Sequence, residues 1–169
     1  MGEPSRTETP SSADYNAFQS FVCTDPPNRE FDRHRGLHHP RIWELETQSA
    51  IRNYRFPIQS GDLAIAIFDE KRNLTGACLA TRTEDNDHLI QAIAVKLECR
   101  NSGIGSELLG RMLKETSNHQ DSSGLVVARI HRENEPSQQL FTRFGFIPDG
   151  YDQAEPQYTL WWLDRFQAP

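Results

Sequence analysis

From Leu63 onward, apolar runs alternate with short polar turns. Leu63–Phe68 and Leu74–Arg82 flank the polar Asp69–Asn73, the pattern of an antiparallel hairpin. A second polar turn, Glu84–Asp87, leads into Leu89–Leu97 and predicts a third consecutive strand. After Gly103 the period changes from two to 3.6. Ile104, Leu108, Leu109, Met112 and Leu113 recur at helical spacing, and the stripe stops near Ser117. Asn118–Gly124 reads as a polar loop and Leu125–Ile130 as a short strand. Pro136 opens another helix, with Leu140, Phe141 and Phe144 on one face and Gly145 placed as its C-terminal cap. Tyr158–Leu163 supplies a last strand.

The N-terminal third is less regular. Met1–Asp14 holds no aliphatic residue beyond Ala13 and the initiator, so it is expected to be disordered. Tyr15–Cys23 is read as an opening strand and Thr24–Pro40, rich in Pro, Arg and His, as a loop. Pro40 suits the first turn of a helix running to about Tyr54 and ended by Pro57, with Ile42, Leu45 and Ser49 as its thin inner face. Strands, helix, strand, helix, strand describe an α/β or α+β sheet with helices on its faces. A chain of 169 residues without internal repeats fits one domain, over about residues 15–166.

Composition narrows the function classes. Lys plus Arg is 18 against 24 for Asp plus Glu, a net charge of −6. That balance weighs against nucleic acid, whose phosphates call for clustered cations. The longest apolar run, Leu63–Phe68, is far short of the ~20 residues a spanning helix needs. No signal-peptide stretch opens the sequence, and Cys23, Cys78 and Cys99 make neither a disulfide framework nor a paired metal spacing; a reducing cytoplasm is the expected compartment. His34, His38 and His39 lack a carboxylate at helical spacing and read as a solvated loop rather than a metal site.

The chemistry concentrates in Ile93–Gly110. A strand runs into a turn with two glycines, and a helix starts at once, so unpaired backbone N–H groups and the positive end of a helix dipole converge. Such a site suits phosphate, and a side chain at Gly103 or Gly105 would hold the anion off the backbone. The dinucleotide fingerprint fails because its third glycine would be Leu108, and a P-loop fails because Arg111 and Met112 follow Gly110. Arg/Gln-x-x-Gly-x-Gly/Ala is met in full by Arg100-Asn101-Ser102-Gly103-Ile104-Gly105.

That segment, with the preceding Ile93-Ala94-Val95, resembles the acyl-CoA pyrophosphate loop of the GNAT N-acetyltransferase superfamily. Ile130-x-x-x-Asn134-x-x-Ser137-x-x-Leu140-Phe141-x-x-x-Gly145-Phe146 is similar to that family's second cofactor motif, and the two cover about Leu89–Phe146. The resemblance implies a single GNAT-like domain whose central, mostly antiparallel mixed sheet splays between the Ile93–Val95 and Leu125–Ile130 strands. It implies acetyl-CoA as cosubstrate, no metal, and an amine acceptor, with the acetyl group moved by direct attack on the thioester. Backbone groups of Ile93 and Val95 would pair with the pantetheine arm, and the N–H groups from Asn101 to Ser106 would hold the pyrophosphate. Asn134 would help fix the arm, beside a helix carrying Ser137 and Phe141. Homodimers are common in the family, and nothing in this chain decides that point.

The chain departs from the family at one catalytic position. The usual acid is a Tyr four residues before the Gly of the Gly-Phe pair, and here that residue is Phe141, which cannot donate a proton. Tyr158 or Tyr151, or water, is left to protonate the leaving thiolate. No Glu lies in the Leu89–Val95 strand, so His131 and Glu133 are the base candidates, and Gln91 could only position a water. Two rival readings stay open: a non-catalytic acyl-CoA-binding module, and an acetylating toxin acting on aminoacyl-tRNA.

Overall fold

The computed structural model describes residues 6–26 and 39–166. Seven strands form one open mixed sheet: β1 (Arg6–Glu8), β2 (Asp62–Phe68), β3 (Leu74–Arg82), β4 (His88–Val95), β5 (Leu125–His131), β6 (Ile147–Tyr151) and β7 (Tyr158–Asp164). Their spatial order is β1-β2-β3-β4-β5-β7-β6, and only the β4–β5 pair is parallel. The helices are α1 (Tyr15–Gln19), α2 (Ile42–Arg52), α3 (Ile104–Ser117) and α4 (Glu135–Arg143).

Both faces of the sheet are covered, which is why β2 and β3 read as continuous apolar runs. Alternation sends Ile65 and Ile67 to one side, with Leu108, Leu109 and Met112 of α3 and Leu140 and Phe141 of α4. Ala64, Ala66 and Phe68 face the other side, against Phe18 of α1 and Ile51 of α2. The first face closes tightly at Gly76. A Cβ there would stand 2.8 Å from Ile104 Cγ2 and 2.9 Å from Leu108 Cδ1, so α3 lies on β3 only because that position has no side chain. The expected Gly145 cap is present, with φ +86° and Phe146 N–H bonded to the Phe141 carbonyl at 3.1 Å.

Three local expectations need correction, and one strand was not foreseen. Within the tail expected to be disordered, Arg6–Glu8 pairs with β2, and Ser12–Asp14 forms a 3-10 turn under a Ser11–Asp14 capping box. Backbone pairing and Arg72, which binds both Glu8 and Asp14, order a segment with little apolar surface. Tyr15–Cys23 begins as a helix rather than a strand, because only Phe18 and Phe21 bury large side chains and their spacing of three is helical. The inner face of α2 is Gln48 and Ile51, whereas Ser49 is exposed. Gln48 is tolerated inside because its Oε1 accepts from the Cys23 and Thr24 N–H groups at 2.9 and 3.4 Å. Finally, β6 is a strand with no buried residue, so no hydrophobic alternation announced it.

The β4–β5 seam positions the site. Those strands share three residue pairs, His88 with Val126, Leu89 with Val127 and Ile90 with Ala128. On its other edge β4 slips register against β3, with Ala80 opposite Ile90 and Leu79 opposite Ala92, which leaves Gln91 as a bulge. A bulge bends its strand and sharpens the local twist. It falls where the last β5 pair ends, and beyond it β4 and β5 diverge.

Candidate functional site

The divergence opens a cavity of about 420 Å³. Its walls are Leu89–Ile93 of β4 and Ala128–His131 of β5, with Asn134, Ser137 and Phe141 at the α4 side. Trp43, Glu46 and Thr47 of α2 close one end, with Tyr158 and Glu155. One polar device faces β3 and another faces the cavity. Lys96 N–H bonds to the Thr75 carbonyl at 2.8 Å, so the two-residue period turns the Ala94 N–H toward β3 and those of Ile93 and Val95 toward the open edge. Two of the three expected strand residues therefore offer free backbone groups, and Ala94 is already engaged with Ala77.

At the end of β4 a 3-10 turn, Leu97–Cys99, leads through Asn101 at φ +59° and Gly103 at φ +86° into α3. The first intrahelical bond of α3 runs from Glu107 N–H to Gly103 O at 3.0 Å, so the amides of Ile104, Gly105 and Ser106 precede it. The two expected glycines play different parts. Gly103 supplies the left-handed turn, and a Cβ on it would meet nothing within 4 Å, leaving the space before the amides clear. A Cβ on Gly105 would touch Leu140 Cδ2 at 3.5 Å and Val95 Cγ2 at 3.9 Å, so its role is packing of α3 against β4 and α4. Ser102 bonds its hydroxyl to the Cys99 carbonyl. The Arg100 guanidinium reaches Glu44 of α2 at 3.0 Å and the Cys23 carbonyl, away from the amide fan. It ties the loop to α2.

The second motif is a helix start. Asn134 caps α4, its Oδ1 accepting from Ser137 N–H at 3.3 Å and its Nδ2 donating to Ser137 Oγ at 2.9 Å. Phe141 is buried against Phe146, with ring centroids 4.8 Å apart, while one side of it lines the cavity.

The catalytic candidates separate. His131 is buried, stacked on Trp43 at 4.5 Å and edge-on to Tyr158 at 5.3 Å. Its Nδ1 accepts from Glu133 N–H at 3.2 Å, which leaves Nε2 as the ring donor. The Glu133 side chain is exposed and is absent from the cavity wall. Tyr151 is 61% exposed, under Arg132 on β6. Tyr158 is buried and donates its hydroxyl to Glu46. Burial first, then the Glu46 hydrogen bond, hold that phenol well above its ordinary value, so it stays protonated. The Arg129 guanidinium lies 4.7 Å above the Tyr158 ring and pairs with Asp152 at 2.8 Å and with Glu155.

Trp43, Glu46, Arg129 and Glu155 escaped the sequence reading. They lie on an element whose inner face carried no signature, on the exposed side of β5, and in a polar turn, and only the fold brings them together. Of the three histidines, His34 and His38 lie outside the described residues. His39 is buried, with Nε2 2.6 Å from the Pro26 carbonyl and Nδ1 accepting from Arg41 N–H. Among the described residues there is no group of three metal-ligating side chains, and no helix is long and apolar enough to cross a membrane.

A family model described as Acetyltransferase (GNAT) family matches residues 27–146. The fold resembles that of a PaiA N-acetyltransferase from Thermoplasma acidophilum in complex with coenzyme A, at a TM-score of 0.71 and 15% identity over 96% of this chain and 99% of that one. A nourseothricin acetyltransferase gives 0.66 and 16% over 95% and 98% of the two chains. The ribosomal-protein-S18-alanine N-acetyltransferase from Escherichia coli gives 0.61 and 11% over 98% and 97%. No curated protein sequence matches the chain.

Proposed function

This chain belongs to the GNAT family and is an acetyl-CoA-dependent acetyltransferase, and we propose that it acetylates a primary amine that enters the cavity between β4 and β5. The observation that carries this reading is the continuous path from the amides at the start of α3, along the unpaired edge of β4, to a cavity holding Glu46 and Tyr158. The residues fit the cosubstrate. Open space at Gly103 admits a phosphate to the α3 amides, and the Ile93 and Val95 backbone offers an extended arm the bonds of a missing strand.

In this reading Asn134 fixes the start of α4 beside the arm, and Ser137 and Phe141 form its wall. The acceptor amine sheds one proton before attack, because a lysine-like amine has a model value near 10.4. Its nitrogen then bonds to the acetyl carbon, and the electrons of the breaking C–S bond leave on sulfur. The Val95 N–H meets the charge that grows on the carbonyl oxygen. One proton passes from nitrogen to the thiolate through Tyr158 or water. His131 Nε2–H is a donor in this state and orients the acceptor. Reaction yields an N-acetylated amine, CoA thiol and one proton.

The test is thermal shift with acetyl-CoA, CoA and NAD, followed by thiol release with nourseothricin, spermidine and an Ala-leading peptide. We expect both CoA species and not NAD to raise Tm, and at least one amine to release thiol. Gly103→Asp places negative charge before the amides, and we expect it to abolish the CoA shift. Binding without release for every amine would favour a binding module; no shift by CoA would remove the phosphate reading.

A further inference from the structure

The polar end of the cavity carries an unbalanced charge. Arg129 is the one cation on its wall, and it already contacts both Asp152 and Glu155. Glu46 has no cationic partner among the described residues. Its Oε2 takes the Tyr158 hydroxyl, and Oε1 accepts no hydrogen bond among those residues. About half of the surrounding wall is apolar, including Leu89, Ile90, Ala92 and Ile130. A neutral acceptor filling this space would strip water from a bare carboxylate, which is unfavourable, whereas an ammonium would replace that water with a charged hydrogen bond.

We propose that Glu46 is the specificity-determining residue of the acceptor site, its Oε1 receiving an ammonium group of the acceptor. The site thereby selects a cationic amine over a neutral isostere. This rests on reading the cavity as the acceptor's. α2 lies in the part of the chain that carried no functional signature, and no candidate drawn from the two motifs is a carboxylate inside the cavity. The Tyr158 hydroxyl occupies Oε2 and leaves Oε1 as the open acceptor, so the preference rests on the carboxylate and not on the phenol. The arrangement also links binding to chemistry. The negative charge of Glu46 helps hold the phenol protonated, and an ammonium on Glu46 offsets that charge, so a bound acceptor makes Tyr158 a readier proton donor.

The experiment uses benzylammonium and its neutral isostere benzyl alcohol, titrated into the full chain at pH 7 without cosubstrate and followed by calorimetry. Wild-type protein should bind the ammonium roughly tenfold more tightly than the alcohol, as expected for a hydrogen bond to a charged group. Glu46→Gln should bring the two affinities within about twofold of each other, while Tyr158→Phe, which leaves the carboxylate in place, should keep the preference. Equal affinities in the wild type overturn the proposal without any variant having to fold. So does a preference that survives Glu46→Gln, or one that disappears in Tyr158→Phe. CoA titrated into the same proteins should bind wild type and Glu46→Gln alike. Loss of CoA binding by the wild type would count against the transferase reading, whereas the amine comparison alone decides the role of Glu46.

Discussion

His88 is fully buried at the first residue of β4, and neither ring nitrogen has a hydrogen-bond partner among the described residues. Burial pulls its pKa from 6.5 down to about 4, helped by the nearby His119, Arg165 and Arg82 and opposed by Asp87. The neutral ring is thus favoured in the fold and the charged ring in the unfolded chain. Its contribution is fully present above about pH 6.5 and is lost as pH falls toward 4. The loss should total about 3 kcal/mol, read as a drop in urea midpoint, and His88→Phe should flatten that slope. At this scale the sequence was uneven. Gly103, Asn134 and Ser137 were legible because each acts through local backbone geometry: a left-handed turn, a cap, a first helical amide. Glu46 and Trp43 were not, because only the fold brings α2 to the wall of the cavity.

Among the elements, α2 shows how a polar residue can belong to the core. Gln48 is 1% exposed and holds two amides of the segment after α1. Gln48→Ala should cost about 2 kcal/mol in chemical denaturation, because it leaves buried donors unmet. Gln48→Glu, which keeps the acceptor but buries a charge, should not rescue the loss. The central hairpin strands and α3 were readable because their periods of two and 3.6 are long and unbroken. β1 and β6 were not, since both are edge strands held by backbone pairing, with no apolar face to reveal them. The bulge at Gln91 was also hidden, for one polar residue within an otherwise apolar strand does not announce a register slip. Deleting Gln91 should leave Ala92–Val95 on their present β3 partners, remove the bend that parts β4 from β5, and weaken CoA binding as read by calorimetry.

On the scale of the whole molecule, the mixed sheet with helices on its faces followed from element order and from the family likeness, but which helices cover which face did not. One hydrophobic cluster joins the sheet to α3 and α4, the other joins it to α1 and α2. Between β4 and β5 the sheet is continuous for three residue pairs only. Amide exchange should report that geometry. The N–H groups of Ile93 and Val95 should exchange faster than those of the fully paired β3, and CoA should slow them. The parted strands make the ligand a structural component rather than a passenger. Supplying the absent rungs of the ladder, it would stiffen the two half-sheets against each other, so that resistance to heat and to proteases should rise with ligand concentration.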